Sequence, residues 1–169
     1  MKKAPLILIA LVALTFIISL FGQEFTYVGA AKCKICHKTE KQGKQHPIWE
    51  ASKHSKSFAA LTSEEIKAQN PDAPQNPDCL KCHSPLFEKA PEFKEEGITC
   101  EFCHGPGSAY KKLSIMKNRE ESAKNGLIVY NSTEAIKAQC SKCHENAHDK
   151  PFDFAAAWEK TKHPVPEKE

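Results

Sequence analysis

Every cysteine in this 169-residue chain, and four of its eight histidines, fall into one repeated pattern, Cys-x-x-Cys-His. It occurs as Cys33-Lys34-Ile35-Cys36-His37, Cys79-Leu80-Lys81-Cys82-His83, Cys100-Glu101-Phe102-Cys103-His104 and Cys140-Ser141-Lys142-Cys143-His144. Two thiols three positions apart can add to the two vinyl groups of one haem, and the next residue then sets an imidazole beneath the iron. The pattern predicts four covalently bound haem c groups. The eight cysteines are the thioether anchors, and His37, His83, His104 and His144 are the proximal iron ligands. Zinc knuckles, redox dithiols and disulfide frameworks also use paired cysteines. None of them requires a histidine after every pair, and four such coincidences have odds on the order of one in a hundred thousand.

An iron held by one imidazole has a further axial position. Four histidines lie outside the motifs to fill it: His46, His54, His148 and His163. Two of them belong to an internal echo. Trp49-Glu50-Ala51-Ser52-Lys53-His54 and Trp158-Glu159-Lys160-Thr161-Lys162-His163 share Trp, Glu, a hydroxyl residue, Lys and His at the same offsets. The echo predicts His54 and His163 as distal ligands, with His46 beside them. His148 follows His144 by four residues, at most about 14 Å of extended chain, too little to round the macrocycle to its own haem's far face. It serves another haem or none. Met116 competes for that position, and a thioether there would raise one haem's potential above its bis-histidine neighbours. If neither binds, one iron is five-coordinate and open to a small ligand.

Such sites need elements to carry them. The chain is poor in large aliphatic and aromatic residues outside its N-terminus, so its own side chains make a thin core and the haems are expected to supply the rest. Periodicity and capping signals predict a helix from Pro47 to Leu61 and a short one from Thr62, with Thr62 and Glu65 at capping-box spacing and Asn70-Pro71 as its stop. A proline-rich loop over residues 70–78 follows. Ser108 is the expected N-cap of a helix running to about Lys124. Further helices run from about Ser132 into the fourth motif and from about Asp153 to Lys162. The reading is mainly α with extensive loops and little or no sheet. The second and third motifs are close in sequence and expected to be neighbours in space.

Met1-Lys2-Lys3 and the apolar run from Ala4 to Phe21 have the form of a secretory signal, so residues 1–22 are expected to be removed and 23–169 to form a single tetrahaem domain. An uncleaved membrane anchor is the alternative. Export to the periplasm or beyond suits haem attachment outside the cytoplasm. The formal charge of +3 includes Lys2 and Lys3, which leaves +1 without them. The lysines are scattered among glutamates as on a solvated surface, so nothing points to nucleic acid. No carboxylate pair, nucleophile constellation or phosphate loop assigns a catalytic residue.

Tyr27-Val28-Gly29-Ala30, Trp49 with His54, and above all Cys103-His104-Gly105-Pro106-Gly107-Ser108-Ala109-Tyr110-Lys111 resemble the tetrahaem cytochrome c-554 family. The resemblance covers most of the chain beyond residue 22. It implies a compact, mainly helical domain with haems stacked in pairs, working as a periplasmic electron carrier. In the ammonia-oxidiser member the donor is hydroxylamine oxidoreductase, and the haem of the second motif lacks a distal ligand. His54 matches the family's distal histidine after the tryptophan, and His46 lies one residue from another. The family's distal histidine downstream of the third motif has no counterpart; Ser114 and Met116 stand there instead. Electron transfer between redox-protein partners is therefore the expected function. The alternatives are a haem enzyme reducing nitric oxide or hydroxylamine at an open haem, and a membrane-anchored, quinol-linked cytochrome.

Overall fold

The computed structural model describes residues 24–165 except 146, 148 and 149. The predicted signal segment, and His148 with it, lie outside the described residues. Among the described residues the regular structure is helical throughout, with no strand. Ten α-helices run in chain order: α1 (Ala30–Lys34), α2 (Gln45–Ala51), α3 (Ser57–Leu61), α4 (Glu64–Gln69), α5 (Pro77–His83), α6 (Cys100–His104), α7 (Leu113–Met116), α8 (Arg119–Lys124), α9 (Thr133–His144) and α10 (Phe154–Thr161). Two 3-10 helices, Glu40–Gln42 and Pro91–Glu96, complete the set. None of these helices is long and apolar enough to cross a membrane.

The second, third and fourth motifs each end or fill a helix, and for these the helix start is fixed locally. Asn76 caps α5, its side chain accepting from the Asp78 N–H at 2.9 Å, with Pro77 at the first helical position. Thr99 caps α6, accepting from the Glu101 N–H at 3.2 Å. Ser132 caps α9 as the sequence predicts, and Asp153 caps α10.

Two predicted helices are broken. The run Pro47–Leu61 divides into α2 and α3 because Ser52 turns its hydroxyl on the backbone: Oγ donates to the Trp49 carbonyl at 2.6 Å and accepts from the His54 N–H at 3.2 Å. The break sets His54 on a tight bend. The second is the helix expected to begin at Ser108. That hydroxyl accepts from the Thr26 N–H at 2.9 Å instead, tying down the N-terminal strand of chain, and only α7 and α8 form downstream, the latter capped by Asn118. The cap of α4 is Ser63 and not Thr62, whose hydroxyl bonds back to Ala59.

Phe58, Leu61, Ala73 and Leu80 form the buried apolar cluster, with Ile66, Cys79 and Phe87 packed against it. It lies where α3 meets α5 and the 3-10 helix Pro91–Glu96. This core joins the second motif to the segment that follows the His54 bend.

Candidate haem sites

The helices that carry the motifs pair across long stretches of chain. Helix α1 packs on α6, and α5 packs on α9. Cys33 and Cys100 are neighbours, and the interaction between the two thiols, ahead of burial, raises the pKa of Cys33. The Cys143 thiol is pushed up to about 12, by burial first and then by a hydrogen bond with Cys82. Between these two junctions, Cys103 is pushed up to about 11, mainly by burial, with Cys140 adding to the effect. The Gln139 side chain donates to the Phe102 carbonyl at 3.2 Å across the same join. The motifs therefore stand in the spatial order first, third, fourth, second. Motifs two and three each pack on a motif further along or back, and Phe102 of the third lines one pocket with Asp78, Lys81 and Cys143.

The distal candidates fall into this row. The His54 ring lies 6.1 Å from that of His144, and the His163 ring 5.8 Å from that of His104, centroid to centroid. A metal held between two imidazoles, each at about 2 Å, separates ring centroids by roughly 6 Å. Both echo histidines thus face motif histidines at the spacing a shared iron needs, and they face the two central motifs. Burial lowers the pKa of His54, His144 and His163, and it lowers that of His104 to about 4, with His163 and His37 adding to the effect. All four are neutral imidazoles, the form that ligates metal. Buried Nδ1 atoms of His46 and His163 have no hydrogen-bond partner from the chain. Ring nitrogens without a partner from the chain, paired rings and a Cys-x-x-Cys pair ahead of each motif histidine together fit haem, and among the described residues no cluster of three or more His, Cys, Asp or Glu converges on a point.

Two of the motif histidines, His83 and His37, are oriented from behind. His83 Nδ1 donates to the Ser57 carbonyl at 2.8 Å, and the Ser57 hydroxyl also reaches the His83 carbonyl at 2.8 Å. His37 Nδ1 donates to the Gln45 side-chain oxygen at 3.2 Å, while the Gln45 amide donates to the Pro164 carbonyl at 2.9 Å. Gln45 therefore links the first motif's histidine to the residue next to His163. Such partners fix ring orientation at a metal. His46 is buried, with its N–H on the His37 carbonyl at 2.9 Å and its ring edge-on to Trp49. Trp49 itself donates to the Ile98 carbonyl at 2.8 Å, which secures the bend before His54. Met116 ends α7, half-buried, and that helix packs on α8.

Sequence reasoning did not single out Glu101, the second residue of the third motif. It is 2 % exposed, and its carboxylate accepts from the N–H groups of Val28, Gly29 and Gly107 at 2.6–3.1 Å. Glu96 accepts from Ala30 N–H at 2.9 Å. Helix α1 has no cap from its own sequence, so two acids from 66 or more residues away cap it. The visible signal was an acidic residue inside a haem motif, followed by a glycine-rich turn.

A family profile described as cytochrome c554 and c-prime matches residues 32–105, the span of the first three motifs. The chain is 29% identical over 157 residues to a cytochrome c-554 of Nitrosomonas europaea, a match covering 78% of this chain and 63% of that protein. It thus spans less than two-thirds of that relative's length. No solved structure matches.

Proposed function

Because the chain belongs to the cytochrome c-554 family, we propose that it is an exported tetrahaem electron carrier, with one covalent haem c at each of its four motifs and redox proteins as its donor and acceptor. The observation that carries the reading is the pairing of His54 with His144 and His163 with His104 at about 6 Å, beside cysteine pairs that interlock along one row. Bound haem supplies a one-electron iron couple. The chain's own part is to hold four such groups in fixed proximity: cysteines anchor, motif histidines ligate from one side, and His54, His163 and His46 ligate from the other. His148 and Met116 are the remaining candidates for the fourth distal position. Ser57 and Gln45, which hold the His83 and His37 rings, and Trp49, which secures the bend before His54, would keep the ligating nitrogens in place, as a one-electron carrier needs.

The test takes the secreted protein, counts haem by pyridine haemochrome against protein mass, and records the electron paramagnetic resonance of the oxidised form. Four haems and low-spin ferric signals are expected. A count below four overturns the tetrahaem assignment. A strong high-spin ferric signal in the untreated protein would turn the function toward reduction of a small nitrogen species at an open iron. N-terminal sequencing of the same sample distinguishes removal of residues 1–22 from a retained anchor.

A further inference from the structure

Glu101 sits at the junction of the first and third motifs. It follows Cys100 directly, on the helix α6 that packs against α1 and its Cys33. All the partners its carboxylate is seen to bond are peptide N–H groups: Val28 at 3.0 and 3.1 Å, Gly29 at 2.8 Å and Gly107 at 2.6 Å. Its charge bears on both thiols of the junction and on the buried Tyr110 hydroxyl. Three peptide N–H donors converge on this buried oxygen pair, and hydrogen bonds of that kind to a carboxylate are charge-assisted and strong. A side chain used only to cap α1 would not need to be buried or to lie between haem cysteines.

We propose that Glu101 is a positioning residue with an electrostatic duty: its buried carboxylate locks the first motif to the third and holds down the reduction potentials of the haems at those two sites. The proposal rests on the tetrahaem reading above. A fixed negative charge in a poorly solvated region favours the ferric over the ferrous iron, so it lowers the potential of any haem it can reach. The Coulomb effect falls with distance, so the second motif, at the far end of the row, is affected least. The lock acts through backbone donors alone, so Glu101→Gln removes both functions: an amide offers one acceptor oxygen and turns an NH2 group toward donors. Glu101→Asp keeps the charge and shortens the reach.

The experiment compares wild-type, E101Q and E101D holoproteins by haem count, potentiometric titration resolved into four potentials, and hydrogen exchange of the segment containing Val28 and Gly29. In E101Q, one or two potentials rise while the others hold, and Val28 and Gly29 exchange faster. In E101D the potentials return toward wild type while exchange stays fast. A fully loaded E101Q with four unchanged potentials, or with all four moved alike, overturns the electrostatic role. If E101Q does not accumulate with haem, E101D decides: wild-type protection at Val28 and Gly29 in that variant overturns the lock. A wild-type protein holding fewer than four haems would refute the functional reading itself, whereas slow exchange at those amides would still report the lock.

Discussion

Replacing His163 with alanine tests the ring pairing directly. The His163 ring stands 5.8 Å from that of His104, so the variant should lose the distal ligand of one site, that of the third motif, and leave the other three intact. The thioether anchors Cys100 and Cys103 are untouched, so the haem count stays at four. One iron in four changes from low to high spin, about a quarter of the ferric total, because an iron with one imidazole and no strong sixth ligand has a weaker field. His54→Ala should do the same to a different iron, that of His144, 6.1 Å away. The double variant should then show about a half of its iron high-spin, since two distinct sites add. Electron paramagnetic resonance with spin quantitation reads all three, and added imidazole should restore low-spin signals. Either single variant with an unchanged spectrum, or a double variant no different from a single one, would refute the pairing and the argument drawn from the tryptophan echo.

Gly105→Ala should destabilise the holoprotein by about 2 kcal/mol or more in thermal or denaturant unfolding, because Gly105 has φ +81° and a methyl group there meets the Gly126 carbonyl and the Ile128 side chain. A loss below 0.5 kcal/mol would contradict it. Leu80→Ala, in the apolar cluster between the second motif's cysteines, should cost about 2–5 kcal/mol with the haem count preserved. Tyr130 donates to the Cys103 carbonyl at 2.8 Å, and burial pushes its hydroxyl up to about 12. The unfolded chain ionises this tyrosine near its ordinary 10 and the folded chain only near 12, so its contribution is whole below pH 10 and lost as pH rises through 12. Tyr130→Phe should therefore unfold less steeply than wild type between pH 10 and 12; parallel curves would dismiss the effect.

The four motifs, and the two echo histidines that the fold sets opposite motif histidines, could be singled out because their signals are local: a spacing, a following histidine, an offset from tryptophan. Helix starts at Ser132 and Asp153 were legible for the same reason, a short polar side chain ahead of a helical run. What failed was also local in form but decided from afar. Ser108 has the residue type of a cap, yet Thr26, 82 positions earlier, claims its hydroxyl. Ser52 lies in a helical pattern, yet its own hydroxyl bonds win over the helix and produce the bend that points His54. The partner of each motif could not be read at all, since Cys33 meeting Cys100 and Cys82 meeting Cys143 is a property of chain topology and not of any window of sequence. Glu101 passed unnoticed because three of its four hydrogen bonds go to amides more than 70 residues away.

The interlaced order of the motifs governs how the protein can be made. A chain threaded out of the cytoplasm from its N-terminus presents the first motif long before the third exists outside, and the second long before the fourth. Nothing synthesised up to residue 99 contains both halves of either thiol junction. On the exported, haem-bearing reading proposed above, attachment at each early motif would precede the emergence of its mate. Closure waits for the last motif, at 140–144, and for His163 beyond it. Halving this chain would not leave two smaller cytochromes, because either half would hold motifs whose mates were in the other.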